Sequence, residues 1–113
     1  MTYKIEIAET AKQDLLDIFL YITNDLGSPQ SAAGQLNRLE KAIASLDRMP
    51  ERFRKYEKGI WQERNLRIMP ADNYLVFYIP NHDKATVTVI RVMYGGRDID
   101  RHLRELGQQT NNL

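Results

Sequence analysis

The chain has 113 residues, 42% of them hydrophobic and 27% charged, and no cysteine. Such a length suits one domain able to bury about two-thirds of its unfolded surface. The missing cysteines exclude disulfides, a thiolate nucleophile and a cysteine-ligated zinc. The net charge of +1 hides an asymmetry: residues 1–47 carry 4 Lys/Arg against 7 Asp/Glu, and residues 48–113 carry 12 against 8. The C-terminal part is therefore where an anionic partner would be met. No apolar run approaches the roughly 18 residues of a membrane span, and the start MTYKIEIAET has no signal-peptide core, so a cytoplasmic protein without a membrane partner is expected.

Tyr3, Ile5 and Ile7 alternate with Lys4 and Glu6, which reads as a short strand with one buried face. Thr10 with Gln13 matches a capping box and sets the expected start of a first helix. Its apolar positions Leu15, Ile18, Phe19, Ile22 and Leu26 follow the spacing of a core-facing stripe, and Gly27 suits the residue that ends it. Ser28 and Pro29 then read as N-cap and first residue of a second helix. Ala32, Leu36, Leu39, Ile43 and Leu46 form its buried stripe, and Pro50 is expected to stop it. Two helices with so short a joint should fold back as an antiparallel hairpin.

Residues 51–60 show no clear period and read as a basic connector. A three-stranded meander is expected beyond it, with strands near 61–69 and 74–79 and turns at 70–73 and 80–83. The third strand lies in ATVTVIRVMYGGRD, residues 85–98. Val87, Val89, Arg91 and Met93 form one alternating set, and Thr88, Ile90, Val92 and Tyr94 the other. Both sets are largely apolar, so this strand should have cover on both faces. Gly95 and Gly96 end it, and Arg97, Asp98, Asp100 and Arg101 follow. A short last helix is expected over 101–106, then a polar, frayed tail over 107–113. The fold class is α+β: strand, helical hairpin, antiparallel meander and short C-terminal helix, as one domain over residues 1–106.

Candidate site residues gather toward the end of the third strand. Arg97, Arg91, Tyr94 and Arg67 are candidates for target binding or catalysis. Arg54, Lys55, Lys58 and Arg64 are candidates for phosphate contact. Each has a structural counterpart reading. Arg67 and Arg91 could lay their stems across the sheet and pair with a carboxylate, Arg97 could pair with Asp98, and Tyr94 could belong to the core. The basic residues of the connector could simply be solvated. Trp61 could stack on a base or cover the edge of a small core. His82 reads as a solvated turn residue and His102 as a surface partner of Asp98 or Glu105. Two distant histidines without an HExxH pattern give no metal site, and no cofactor fingerprint or small-molecule site is present.

The order of elements, with NYLVFYIPNHDKATVTVIRVMYGGRD, MPERF and LRIMPADNY, resembles the RelE/ParE superfamily of type II toxin–antitoxin toxins. The resemblance runs from YKIEIAETAKQDLLDIFLYI to DIDRHL. It implies a small bacterial toxin that arrests growth until a cognate antitoxin neutralises it. Folding of an acidic or amphipathic antitoxin segment onto the mildly basic domain would be physically reasonable.

The resemblance leaves two targets. RelE-type members cleave mRNA on the ribosome; ParE-type members poison DNA gyrase. Metal-independent cleavage needs cationic or proton-transferring side chains converging on one phosphate. Of three RelE-pattern positions, one falls on Leu75, one on Arg97 and one near Leu103, so a single position matches. The reading therefore leans toward a ParE-like gyrase poison. A RelE-like, metal-independent mRNA endoribonuclease and a degenerate antitoxin-binding module remain as alternatives.

Overall fold

The computed structural model describes residues 2–96 and 98–111. Strand β1 (Lys4–Ile7) leads into helix α1 (Glu9–Leu20), and α2 (Pro29–Ala44) folds back beside it. Then come β2 (Arg54–Lys55), a one-turn α3 (Ile60–Glu63), β3 (Arg67–Ala71), β4 (Tyr74–Asn81), β5 (Thr86–Tyr94) and α4 (Ile99–Asn111). The five strands form one sheet in the order β1-β5-β4-β3-β2, with β1 parallel to β5 and the other neighbours antiparallel. This is the expected α+β architecture, with β5 covered by strands on both sides.

Several boundaries differ from expectation for identifiable reasons. No capping box forms at Thr10: the N-cap is Ala8, and the Thr10 hydroxyl donates to the Ile90 carbonyl at 2.6 Å. The pairing of β1 with β5 ends at Ile7 and Val89, so the next open groups of β5 are met by α1 side chains. Helix α1 then widens into one π-helical turn, Tyr21–Asp25, in which the Leu26 N–H reaches back to the Tyr21 carbonyl. A wider turn rotates the next residues around the helix axis. Leu26, expected in the core stripe, is thereby 61% exposed, and Tyr21 is 52% exposed. Gly27 closes the turn at φ 66, the left-handed conformation that glycine adopts without cost. Ser28 caps α2 as expected, its Oγ accepting from the Ser31 N–H. That helix ends at Ala44 rather than at Pro50, with 3₁₀ turns at Ser45–Asp47 and Pro50–Arg52.

In the sheet, the strand expected over 61–69 begins only at Arg67, and Trp61 lies in α3. Pro70 and Pro80, expected in turns, belong to strands. Proline is tolerated where its missing N–H faces no neighbour. The β2–β3 pairing stops at Ile68 and the β3–β4 pairing stops at Tyr78, so both prolines look onto an open edge. The register of β5 shifts opposite Phe77 and Tyr78, leaving Ile90 as an extra residue. This bulge breaks the two alternating sets read from sequence. Val87, Val89 and Val92 pack toward the helical hairpin with Leu39, Ile43 and Leu46. Ile90 and Met93 pack on the other face with Phe77, Trp61 and Leu103. Finally, α4 is longer than the 101–106 expected and runs through residues 107–111. At Gly107 it runs close to α3: a Cβ there would sit 2.7 Å from Ile60 Cδ1 and would push that side chain aside.

Among the described residues no helix is long and apolar enough to cross a membrane, and no group of His, Asp or Glu side chains could hold a metal ion.

Candidate functional site

The sequence-derived candidates do not gather at one point. Arg91 makes a two-pronged pair with Asp14, Nε to Oδ2 at 2.7 Å and Nη2 to Oδ1 at 2.9 Å, with both side chains largely buried. Asp14 Oδ2 also accepts the Val92 N–H at 2.8 Å. That carboxylate fastens α1 to β5 where β1 has run out, and it holds the Arg91 guanidinium in structural bonds. Arg67 Nη1 donates to the Glu51 and Phe53 carbonyls, both at 2.8 Å, and so fixes the connector to β3. It pairs in register with Tyr78, whereas Tyr94 pairs with Tyr74, four residues away along β4. Arg97 lies outside the described residues.

The second group of candidates sits around β2, α3 and α4. Arg54 and Lys55 are exposed on the edge strand. Lys58 Nζ binds Asp100 Oδ2 at 2.8 Å, and the Tyr56 hydroxyl donates to Asp100 Oδ1. Hydrogen bonds from Lys58 and Tyr56 hold the Asp100 carboxyl below its ordinary value. Burial, reinforced by the bond to Asp100, pushes the Tyr56 phenol up to about 12. The Arg64 guanidinium stacks over the Trp61 ring at 5.2 Å. Trp61 is itself buried, and its indole N–H donates to the Leu103 carbonyl at 2.8 Å. It is a core residue, not a free stacking platform. His82 is exposed but not isolated: Nδ1 meets the Tyr3 hydroxyl, and Glu51 lies 3.9 Å away.

What the fold does assemble is a groove of about 880 Å³ between the hairpin and the open end of the β4–β5 pair. One wall carries Asp14, Asp17, Tyr21 and Leu26 from α1 and the turn after it. The other carries Tyr74, Val92 and Tyr94, with the α2 residues Gln35 and Arg38 beyond. Tyr94 stands edge-on to Tyr74, ring centroids 5.8 Å apart at 74°. Burial, with the neighbouring Tyr94 and Tyr21, raises the Tyr74 phenol above its ordinary value. Arg38 Nε and Gln35 Nε2 both donate to Asp72 Oδ2, at 2.8 and 2.9 Å, and hold its carboxyl below the usual range. Among the described residues, Tyr94 is the one sequence candidate that lines this groove. Tyr21, Asp17 and Tyr74 carry no sequence signal of it, because a π-helical turn puts Tyr21 and Leu26 on its rim and periodicity assumes a regular helix.

The geometry agrees with what the chain resembles. The sequence matches the family of ParE toxins of parDE type II toxin–antitoxin systems over residues 5–99. No curated protein sequence matches it. Among solved structures the fold is similar to the chromosomal ParDE system of P. aeruginosa, with a TM-score of 0.67 and 10% identity over 82% of this chain and 96% of that one. It is similar to a RelBE toxin–antitoxin complex from Mycobacterium tuberculosis, with a TM-score of 0.59 and 20% identity over 83% and 99%. It is also similar to a doubly substituted mutant of E. coli toxin RelE in the free state, with a TM-score of 0.60 and 15% identity over 85% and 86%. At such identities the structures speak for the shared fold, and the sequence match speaks for the family. The helical hairpin, the meander and all but the first residue of β1 fall inside the matched residues, and the chain belongs to the ParE toxin family of type II toxin–antitoxin systems.

Proposed function

We propose that this toxin acts in the cytoplasm by binding DNA gyrase, as a poison rather than a nuclease, and that a cognate antitoxin silences it. The observation that carries the reading is the filling of the positions where RelE-like cleavage would need charge. Leu75, at one of them, packs against the core beneath α4, and Leu103, near another, is fully buried. Hydrocarbon can neither take a proton nor stabilise a phosphorane. Arg91 is held in a two-pronged pair with Asp14, and Arg67 Nη1 is held by main-chain carbonyls. The antitoxins in the similar ParDE and RelBE structures support an antitoxin partner here.

Tyr94 and Arg97 remain the residues proposed to meet the target. The test is a pair of assays on one preparation of toxin freed from antitoxin, one following supercoiling by purified gyrase, the other mRNA integrity on translating ribosomes. Lost supercoiling with intact mRNA is the expected result, and Tyr94→Ala should weaken it. Cleavage at defined codons would replace this reading with the RelE-like one. Silence in both assays from folded protein would point to a module that binds antitoxin without toxicity.

A further inference from the structure

Among the described residues, positive φ occurs at Gly27, Gly59, Asn65, Asp72, Ala85 and Met49. Glycine is indifferent to that region, and Asn and Asp tolerate it through their short polar side chains. Ala85 packs against the core beneath the hairpin. Met49 has none of these reasons. It stands at φ 48, ψ 54 with 75% of its surface exposed, and it precedes Pro50, which favours an extended residue before it. Backbone held in strain, with its side chain delivered to solvent, points to a use outside the chain.

The strain is imposed by the loop around it. Arg52 Nη1 donates to the Arg48 carbonyl at 2.6 Å and to the Met49 carbonyl at 3.2 Å, and Arg52 Nη2 reaches Ser45 Oγ at 3.0 Å. The Tyr78 hydroxyl holds the Pro50 carbonyl, and Arg67 Nη1 holds those of Glu51 and Phe53. The loop is thereby set before any partner arrives, and a contact through Met49 orders little beyond the side chain itself. It lies toward the Asn81–Thr86 end of the β4–β5 pair: the Tyr3 N–H donates to the Asp47 carbonyl, and Glu51 is 3.9 Å from His82. The groove opens at the other end, by Tyr74 and Tyr94.

A methionine side chain is unbranched and polarisable, and it fits irregular apolar pockets. Exposed Arg48 precedes it, with no ion pair or hydrogen bond from its side chain among the described residues. Residues 48–55 carry Arg48, Arg52, Arg54 and Lys55 against Glu51 alone. Such surroundings suit an apolar pocket with carboxylates at its rim. Nucleic acid suits them less, because Arg52 has its Nη donors on this chain's own oxygens and the exposed Glu51 carboxylate would face phosphate.

We propose that Met49 is a preorganised anchor for the protein target, entering an apolar, carboxylate-rimmed pocket on gyrase. This rests on the gyrase reading above and adds a contact at the opposite end of the sheet from Tyr94.

The experiment compares wild type with Met49→Gly, Met49→Leu and Arg48→Gln, each freed from antitoxin, in thermal melts and in inhibition of supercoiling by purified gyrase. Met49→Gly relieves the strain and should melt no lower than wild type, yet should need about tenfold more protein for half inhibition. Met49→Leu keeps an apolar anchor and should stay within about threefold of wild type. Arg48→Gln should weaken inhibition about threefold and lessen its dependence on salt. If Met49→Gly inhibits as well as wild type, the anchor falls while the gyrase reading stands. A lower melt for Met49→Gly would make Met49 a support of its own loop and would also overturn the anchor. A loss matched by equally weakened binding to a short DNA duplex without gyrase would give the residue to nucleic acid instead. Wild-type toxin that leaves supercoiling intact would remove the gyrase reading and the anchor with it.

Discussion

On the hairpin face, the sheet is covered by two helices contiguous in sequence and pinned by a buried ion pair, Arg91 with Asp14, that also takes up the Val92 N–H. On the opposite face, the cover is α3 and α4, held by side-chain bonds between partners some 40 residues apart: Trp61 to the Leu103 carbonyl and Tyr56 and Lys58 to Asp100. The ion pair that pins the first face is buried, and the one that helps hold the second is exposed. A buried pair is costly to break because one partner is left charged in a poor solvent, whereas exposed pairs contribute little each. The hairpin should therefore be the stable half of the molecule and α4 the half that opens first.

The largest effect is expected from Asp14→Ala, which leaves the Arg91 guanidinium unmatched and the Val92 N–H without its acceptor. About 3–5 kcal/mol should be lost in chemical denaturation. A loss below about 1 kcal/mol would show that water reaches the pair and would erase the contrast between the faces. Trp61→Phe keeps a buried aromatic ring but removes the indole donor to Leu103 and the ring atoms around it, so about 2–3 kcal/mol is expected. Hydrogen exchange should then accelerate in α4 well before it does in α1 or α2. Equal acceleration in both halves would mean that the two faces open as one unit.

The smallest effect concerns pH, and each face supplies one tyrosine for it. Burial pushes both Tyr78 and Tyr56 up to about 12, but Tyr56 is also raised by its bond to Asp100. Both phenols favour the fold while neutral, so their contribution is complete below the ordinary phenol value and is lost as pH rises through about 12. Asp100→Asn should lower the Tyr56 midpoint, leaving it above the ordinary value because burial persists, and leave Tyr78 where it is. Ultraviolet titration separates the two when compared with Tyr56→Phe. At the acid end the sign reverses. The Asp100 carboxyl is depressed, so its contribution is present above the ordinary carboxylate range and is lost as pH falls through the depressed value. The variant should lack that acid-side loss in a thermal-melt series.

The hairpin face was also the half more legible in sequence. Gly27, Ser28 and Pro29 mark the joint between helices through local backbone chemistry. Of the expected α2 stripe, Ala32, Leu39 and Ile43 are buried, Leu46 is buried in the turn just beyond the helix, and Leu36 is half-buried. The other half hid its arrangement in longer-range facts. Pro70 reads as a turn until β2 is seen to stop short of it. Ile90 reads as one step of an alternation until the register shows it as an extra residue. The polar residues after 106 read as a tail because the contact of Gly107 with Ile60 depends on a short helix 47 residues upstream. For the site, Tyr94 was visible at the end of its strand. The groove was not, because its rim depends on one irregular turn.

The parallel pairing of β1 with β5 has a consequence for how the toxin is made. Residues 4–7 have no strand partner until residues 86–89 have been synthesised. At translation speeds of about 5–20 residues per second, the nascent chain waits several seconds with its first strand unmatched. Helices can form early, since their contacts are local, but the sheet and the groove built on it must close late. A ribosome carrying a chain stalled before residue 86 should therefore display a protease-sensitive chain, and one whose C-terminal extension brings residue 94 clear of the exit tunnel a resistant one. Toxicity would then begin only near the end of synthesis, which gives an antitoxin made alongside it time to be present when the fold is completed.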